Sequence, residues 1–309
     1  MITIPSPSVL DGIVEEYQQY LAGVAGLQAS TCRKWAFFAR LFLKAHLHPK
    51  APKSQLQQLT PEVLLNFLLC QAQHYAPASS QSLAAGLRSF CRFLCVRGYQ
   101  ARDLSAALPS IANHPAQEEL PRYLSRAELR RALAGLDRRT LAGQRDYAMV
   151  LCLARLGLRA GEVAGLRLED VDWRGARLWL QAAKGRRPRS LPLSAEVGGA
   201  IAAYLRRIRP AGPMRALFRS LVTGRALSAD GVSLRAGLAL ARAGVGLPGK
   251  RAHQLRHTMA THLVQQGASL KAVADLLGHR NLRTTQIYAK VNLPLLRAVA
   301  QPWPKEVAS

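Results

Sequence analysis

Alternation of apolar and polar residues, the pattern of a half-buried β-strand, is confined to residues 166–193 of this 309-residue chain. Within that stretch, residues 172–175 indicate a turn, residues 176–181 a strand, and residues 190–193 its hairpin partner. Elsewhere apolar residues recur at helical spacing, as they do over residues 35–47. The sequence therefore predicts a mainly α fold with a small antiparallel β-sheet.

Residues 112–121 lose the helical periodicity and contain two prolines among polar residues, which indicates a linker. A chain of 309 residues is longer than one compact core usually requires. We therefore predict two domains, an all-helical one over residues 1–116 and a second over residues 117–309 that contains the sheet. Just after the linker, Ser125 and Glu128 have the spacing of a capping box, which predicts the start of a new helix.

The chain is strongly basic: 43 Lys and Arg stand against 18 Asp and Glu, giving a net charge of +25. A folded chain with this excess repels itself, and nucleic acid is the commonest polyanionic partner that relieves the repulsion. Most of the excess lies after residue 116. In the first part, Arg88 and Arg92 form a basic face on a helix predicted over residues 77–96. They are candidate DNA contacts, although a solvated helix face explains them nearly as well.

The sequence predicts neither export nor a membrane span. The N-terminus lacks a basic region followed by an apolar one, and the uncharged residues 63–87 include Asn, Gln, His, Ser and Pro. The cysteines are odd in number and form no CxxC pair, which favours reduced thiols; they are Cys32, Cys70, Cys91, Cys95 and Cys152. We therefore expect a cytoplasmic protein.

Two segments carry charged residues whose roles the pattern leaves open. Arg159 follows a predicted helix end at Gly157, and taken alone it fits an exposed side chain or a pair with Glu162. His253 and Arg256 are three residues apart, so a helix places both on one face. A buried pair and an exposed basic face explain that spacing equally well.

A third segment, residues 276–288, contains a helix end and a new start. Gly278 fits a helix C-cap and Thr284 the beginning of the next helix, so that His279 lies at a turn and Tyr288 on a short helix. A tyrosine in that position is usually half-buried packing. Spacing alone does not make it a nucleophile.

A metal site is an alternative explanation for the histidines. His253, His257 and His262 lie roughly one helical turn apart. No carboxylate or cysteine lies close in sequence to complete a zinc set. We therefore predict no metal.

Taken together and in this order, the segments resemble the signatures of the tyrosine recombinase (phage integrase) family, which includes the Xer recombinases. The resemblance lies in G-L-R-x-x-E at 157–162, K-G in the hairpin at 184–185, H-x-L-R-H-T at 253–258, L-L-G-H at 276–279 and T-T-x-I-Y at 284–288. The matched stretch covers about half of the chain. The N-terminal helices resemble, more loosely, the SAM-like core-binding domain of the family. One departure is Gly161, where Xer-like members often have serine.

The resemblance implies that Tyr288 attacks the scissile phosphorus, giving a 3′-phosphotyrosyl bond and a free 5′-hydroxyl. Covalent capture conserves the bond energy, so that rejoining needs no cofactor. The resemblance also implies that Arg159 and Arg256 hold the non-bridging oxygens. A planar, permanently charged guanidinium suits the negative charge that develops there.

Three further roles follow from the resemblance. Lys184 would protonate the leaving 5′ oxygen, which an ammonium with a lowerable pKa can do and arginine cannot. His253 would help move the tyrosine proton, and His279 would hydrogen-bond the phosphate. Three arginines share the loop of Lys184, but only this lysine combines the hairpin position with a following glycine.

The implied partner is double-stranded DNA, clamped by the two domains, with a homo- or hetero-tetramer of protomers active on two sites and no membrane partner. After Tyr288, the apolar face of residues 293–299 could pack on its own domain, whereas the resemblance implies that it docks into a neighbouring protomer. The predicted function is thus a site-specific DNA recombinase, an enzyme. The alternatives are a catalytically silent DNA-binding protein and a nicking and resealing relative of the type IB topoisomerases.

Overall fold

The structure, a computed structural model, describes residues 9–47, 52–110, 122–181, 188–208, 214–246, 251–279 and 283–288. The chain divides into two compact units, Met1–Gln117 and Glu118–Ser309. Within the described ranges, every helix is too short or too polar to traverse a lipid bilayer.

The first unit is helical, in agreement with the prediction. Its described helices are α1 (Val9–Gly23), α2 (Ala29–His46), α3 (Pro52–Gln57), α4 (Pro61–Ala72) and α5 (Pro77–Val96), followed by a 3₁₀ turn at Leu104–Ala107. Helix α5 has the predicted bounds. Helix α2 begins six residues before the predicted Trp35, because Ala29 to Lys34 continue the helix beyond its apolar stripe.

Aromatic side chains form the centre of the first unit. The rings of Tyr17 on α1 and Phe90 on α5 lie 5.0 Å apart in an edge arrangement, and Phe42 on α2 is fully buried beside them. The hydroxyl of Tyr17 donates to the carbonyl of Gly86 at 3.0 Å. A Cβ at Gly86 would approach the Trp35 ring to 3.2 Å, so the glycine allows α5 to pass close to α2.

The second unit combines helices with one sheet. The described helices are α6 (Arg126–Ala134), α7 (Leu141–Arg155), α8 (Ala160–Gly165), α9 (Ala195–Ile208), α10 (Ala229–Arg242), α11 (Arg251–Gln265), α12 (Leu270–Leu277) and α13 (Arg283–Gln286). The predicted capping box starts α6: the Ser125 amide donates to the Glu128 carboxylate at 2.7 Å, and the Glu128 amide donates to the Ser125 hydroxyl at 3.2 Å. Helix α7 is central, since every residue from Ala148 to Ala154 is buried.

The predicted antiparallel sheet is present, with strand order β1 (Val171–Asp172), β2 (Arg177–Leu180) and β3 (Arg189–Pro192). Leu178 pairs with Leu191 and Trp179 with Ser190, so one face of β2 is buried and the other exposed. The fold class predicted from the sequence, mainly α with a small antiparallel sheet, is confirmed.

Candidate active site

The turn between α7 and α8 positions Arg159. Gly157 ends the preceding segment at φ +61°, and a Cβ there would lie 2.9 Å from the Leu277 side chain, so both conformation and space require glycine. Arg159 occupies the N-cap of α8, where its backbone amide donates to the Glu162 carboxylate at 2.9 Å. Its guanidinium reaches the carbonyl of Leu277 at 3.2 Å. The α7–α8 turn therefore holds Arg159 against the end of α12.

Arg256, which lies 97 residues after Arg159 in the sequence, bonds the same Leu277 carbonyl. It lies on α11, is only 3% exposed, and donates to the carbonyls of Gly157 and Leu277, the latter at 2.8 Å. The Leu277 carbonyl is available because Gly278 ends α12 in the left-handed conformation, with φ +63°. The structure thus brings the two predicted arginines together at one helix C-terminus.

The carboxylate of Glu162 is the anion at the centre of this site. It lies 3.2 Å from guanidinium nitrogens of Arg159 and Arg189 and 4.0 Å from one of Arg256. Burial raises the pKa of Glu162, but the Arg159 amide and the three guanidinium charges outweigh that effect and hold the pKa below its ordinary value. One carboxylate facing three guanidinium groups leaves a net positive charge, which suits a phosphate.

Burial also shifts the pKa of Arg256. Loss of solvent, followed by repulsion from Arg159, lowers the pKa of Arg256 to about 9, against the opposing attraction of Glu162. The guanidinium therefore stays charged at neutral pH.

Tyr288 is buried next to this cluster. It is 1% exposed and follows α13 in a turn, where its amide donates to the Thr285 carbonyl at 3.0 Å. The prediction of Tyr288 on a short helix is therefore wrong: the helix ends at Gln286, and a tight i to i−3 hydrogen bond replaces a further helical turn. Burial raises the pKa of Tyr288 to about 12, although the charges of Arg256 and Arg159 act to lower it.

Three histidines lie around the predicted nucleophile. Nδ1 of His257, on α11, is 2.8 Å from the Tyr288 hydroxyl oxygen. His253 lies one turn earlier on α11 and is exposed; its ring centroid is 6.1 Å from that of His257. Partial desolvation, and then the charges of Arg256 and Arg159, lower the pKa of His253. Nδ1 of His279 is 2.7 Å from the Thr285 hydroxyl oxygen.

Other predicted features fall elsewhere. Lys184 and the C-terminal residues 289–309 lie outside the described residues. In the first unit, Arg88 donates to the Pro109 carbonyl at 2.6 Å, and Arg92 approaches the Ser105 hydroxyl at 3.4 Å. Within the described ranges, no three His, Cys, Asp or Glu side chains are grouped so that they could hold a metal ion.

A basic stripe on α2 was not predicted. Its four exposed side chains lie on one face at helical spacing and comprise three cations and an aromatic ring: Arg33, Phe37, Arg40 and Lys44. Arg40 is paired with Asp11 at 3.4 Å. Charge at helical spacing in residues 33–44 was the available signal for this stripe.

Sequence reasoning also assigned no role to Arg189 or His257. Arg189 appears in the sequence only as one of several arginines in the hairpin, and the β2–β3 register is what turns it toward Glu162. His257 lies inside a matched motif, next to Arg256. No local pattern distinguishes it from His253, because both lie on the same helix.

A buried tyrosine within the field of two converging arginines, on a mainly α scaffold, is the arrangement of a tyrosine recombinase. The profile of the phage integrase family matches residues 122–293. The chain belongs to the phage integrase family. It is an enzyme, a tyrosine site-specific recombinase of the Xer-like kind, as its motifs predicted.

Individual relatives agree with this assignment. The integrase/recombinase y4rA of Sinorhizobium fredii (strain NBRC 101917 / NGR234) is 36% identical over 304 residues, which cover 97% of this chain and 73% of that protein. Tyrosine recombinase XerC of Mycobacterium tuberculosis (strain ATCC 25177 / H37Ra) is 32% identical over 308 residues, 94% of this chain and 97% of that protein.

A solved structure shows the same fold. The XerH site-specific recombinase, in its post-cleavage complex with palindromic difH substrate, superposes with a TM-score of 0.72 at 21% identity. The match covers 98% of this chain and 86% of that one.

Proposed function

We propose that this recombinase cleaves and rejoins duplex DNA through a 3′-phosphotyrosyl bond to Tyr288. The observation that supports the proposal is the meeting of Arg159 and Arg256 at the Leu277 carbonyl, from which both charges act on the Tyr288 hydroxyl. Two guanidinium groups held in place before DNA arrives need no reorganisation during the reaction.

The chemistry is divided among six side chains. Tyr288 attacks phosphorus in line with the leaving 5′ oxygen, while Arg159 and Arg256 bind the non-bridging oxygens and neutralise the charge that develops there. The remaining assignments are Lys184 as the acid for the 5′ oxygen, His253 as a carrier of the tyrosine proton, and His279 as a phosphate donor. For His279 we assign the phosphate contact to Nε2, because Nδ1 is bonded to Thr285.

The proposed substrate is double-stranded DNA, with four protomers on two sites. Several structures with this fold hold DNA, including a lambda integrase tetramer bound to a Holliday junction. The net charge of +25 supports a DNA partner. We assign DNA binding to both the first domain, residues 1–116, and the catalytic domain, residues 117–309. In the first domain, Arg88 and Arg92 are candidate contacts. A cytoplasmic location fits the sequence.

The decisive experiment is covalent capture on a nicked suicide substrate that bears the protein's own site, obtained from DNA flanking the gene or by binding enrichment. The reaction is run in EDTA and adducts are resolved on a denaturing gel. We expect an adduct with the wild type and none with Tyr288→Phe. Tyr204→Phe is the matched control, because Tyr204 is an equally buried tyrosine of the same unit, and it keeps the adduct.

The other outcomes would each change the assignment. An adduct with Tyr288→Phe would move the nucleophile to another residue. Tight, site-specific binding with no adduct from the wild type would identify a silent DNA-binding protein. Relaxation of supercoiled DNA that needs no specific site would identify a relative of the type IB topoisomerases.

Assembly is tested separately by deleting residues 293–309. If this segment docks into a neighbouring protomer, the deletion abolishes cooperative assembly on paired sites and leaves binding to a single site intact. Unchanged cooperativity in a gel-shift titration would contradict the docking.

A further inference from the structure

The Tyr288 hydroxyl has a hydrogen-bond partner that the recombinase motifs did not single out. Nδ1 of His257 lies 2.8 Å from the hydroxyl oxygen, and the centroids of the two rings are 5.7 Å apart. Both groups are sheltered, since Tyr288 is 1% exposed and His257 is only partly exposed. A distance of 2.8 Å falls within the range in which a proton passes directly between two heavy atoms.

His257 is better placed than His253 for the first proton transfer. The two histidines share α11, and their ring centroids are 6.1 Å apart. Among the histidines that the structure describes, only His257 is within hydrogen-bond distance of the Tyr288 hydroxyl. His253 lies one turn earlier on the helix and is exposed, so it fits a second carrier that passes the proton toward solvent.

We propose that His257 is a catalytic residue of the cleavage reaction, the group that holds the Tyr288 hydroxyl and accepts its proton. The proposal rests on the proposed function, because it requires Tyr288 to be the nucleophile. It assigns to His257 the direct contact with the reacting oxygen and leaves His253 as the next carrier.

Two different protons move during cleavage. His257 starts neutral, with its proton on Nε2, and accepts a hydrogen bond from Tyr288 at Nδ1. As the tyrosine oxygen forms its bond to phosphorus, the hydroxyl proton moves to Nδ1, and the bond from phosphorus to the 5′ oxygen breaks. The 5′ oxygen takes a different proton, from the acid proposed at Lys184. In rejoining, the 5′-hydroxyl returns its proton to Lys184 as its oxygen attacks phosphorus, the bond from phosphorus to the tyrosine oxygen breaks, and the tyrosine oxygen recovers its proton from His257.

A neighbouring base is needed because burial raises the pKa of Tyr288 to about 12. A phenol with that pKa is ionised in only about one molecule in 10⁵ at pH 7. Transfer to an adjacent imidazole during attack removes the need to ionise the tyrosine beforehand, and such positioned bases typically contribute about 10²- to 10⁴-fold in rate.

The test is the single-turnover rate of adduct formation on the suicide substrate. His257→Asn is the informative variant, because the amide oxygen can still accept the tyrosine hydrogen bond at about the position of Nδ1 but has no useful basicity. We expect the rate to fall by about 10²-fold or more. His74→Asn, which changes an exposed histidine of the first unit, is the matched control and keeps the wild-type rate.

The pH profile separates proton transfer from positioning. Without His257 the proton must go to hydroxide, so the His257→Asn rate should climb about tenfold per pH unit, whereas the wild-type rate is much less dependent on pH. The other titratable or charged groups around the pair are His253 on α11, His279 bonded to Thr285 beside α13, and the guanidinium groups of Arg159 and Arg256. All of them are unchanged in the variant, so they contribute equally to both profiles.

A sulfur substitution in the DNA shows whether His257 accepts the tyrosine proton or protonates the leaving 5′ oxygen. When a 5′-bridging phosphorothiolate replaces the leaving oxygen, the leaving group no longer needs an acid, and Lys184→Ala should recover its rate. His257→Asn should stay slow on the same DNA. Recovery of His257→Asn would place His257 on the leaving group and overturn the proposal.

Three other results would also overturn it. The first is a His257→Asn variant with the wild-type cleavage rate and pH profile. The second is a cleavage rate that falls in His257→Ala but is fully restored in His257→Asn. The third is a variant that cleaves faster than the wild type, which would mean that the histidine only restrains the tyrosine. Thermal melting confirms folding, and His257→Gln replaces the asparagine variant if that one does not fold. Failure of the proposed function is distinct, because then the wild type itself forms no adduct.

Discussion

The two units of this recombinase differ in where they place their charges. In the first unit the interior is aromatic, centred on Tyr17, Phe42 and Phe90, and the described residues include no buried charged side chain there. In the second unit the described buried residues include Arg145, Asp170 and Arg256. Among the described residues, charged side chains stay on the surface of the first unit and enter the interior of the second.

Buried charge allows the second unit to hold a fixed cationic site. A buried charge costs several kcal/mol unless hydrogen bonds and counter-charges offset it. The second unit meets that requirement at Arg256 with two backbone carbonyls and the nearby Glu162. The result is a fixed cationic site. The described residues of the first unit bury no such charge, so any DNA contact proposed for this unit must come from exposed side chains.

Removal of the buried Arg256 should affect both stability and cleavage. Arg256→Ala leaves the buried Gly157 carbonyl without its donor, weakens the pairing of the Leu277 carbonyl and of Glu162, and opens a cavity, so we expect a loss of about 3–5 kcal/mol in unfolding free energy. Cleavage should fall by about 10²- to 10³-fold, because the transition-state charge loses a donor. Thermal or urea unfolding and the suicide-substrate assay measure the two effects.

Arg145→Ala is the matched control for that variant. Arg145 is 2% exposed and bonds Asp146 and the Arg219 carbonyl, so its loss also leaves buried partners unpaired. We expect similar destabilisation with cleavage retained at a temperature where the variant is folded. Equal loss of cleavage in the two variants would mean that Arg256 acts only through stability.

The aromatic core of the first unit gives the next largest effect. Phe42 is fully buried, with its ring centroid 5.2 Å from that of Phe67, and Phe42→Ala should cost about 3–5 kcal/mol in unfolding free energy. Phe37 lies on the same helix but is 54% exposed, so Phe37→Ala should change stability by less than about 0.5 kcal/mol. Equal melting temperatures in the two variants would contradict the assigned core.

Glu162 gives a smaller effect with a defined pH dependence. Its folded pKa lies below the ordinary value of 4.5, so its carboxylate stabilises the fold fully above pH 4.5, and that contribution is lost as the pH falls through the folded pKa. Glu162→Gln should therefore cost about 1–3 kcal/mol at pH 7. The difference in unfolding free energy between the wild type and Glu162→Gln should become smaller in acid.

Unfolding free energies of the wild type and Glu162→Gln, measured across pH, test this pH dependence. Glu196→Gln is the control, because the Arg155–Glu196 pair is about 40% exposed on both sides and contributes little. A gap between wild type and Glu162→Gln that widens in acid would show that the carboxylate is not held ionised by its arginines.

The smallest expected effect sharpens the view of the first unit as a surface binder. Arg33→Ala with Lys44→Ala removes two exposed cations of the α2 stripe, and the slope of log affinity for DNA against log salt should fall by about 2. Arg88→Ala with Arg92→Ala should change it less, because those side chains are engaged by Pro109 and Ser105. A larger change in slope for Arg88→Ala with Arg92→Ala would favour Arg88 and Arg92 as the DNA contacts.

Local signals predicted a large part of this structure. The capping box at Ser125 and Glu128 and the bounds of α5 follow from residue types a few positions apart, and the β2–β3 pairing follows from alternation within a dozen residues. The same kind of signal misplaced Tyr288, which follows the end of α13 at Gln286 in a turn whose amide bonds the Thr285 carbonyl.

The family follows from the order and identity of the motifs alone, and so do the predicted roles of Arg159, Arg256 and Tyr288. The folded protein adds that two arginines share the Leu277 carbonyl, that Arg189 completes the cluster at Glu162, and that His257 contacts the nucleophile. Sequence patterns and these contacts act over different ranges. Periodicity and capping act over about four residues, whereas these contacts join segments far apart in the chain, and packing between helices fixes which side chains meet.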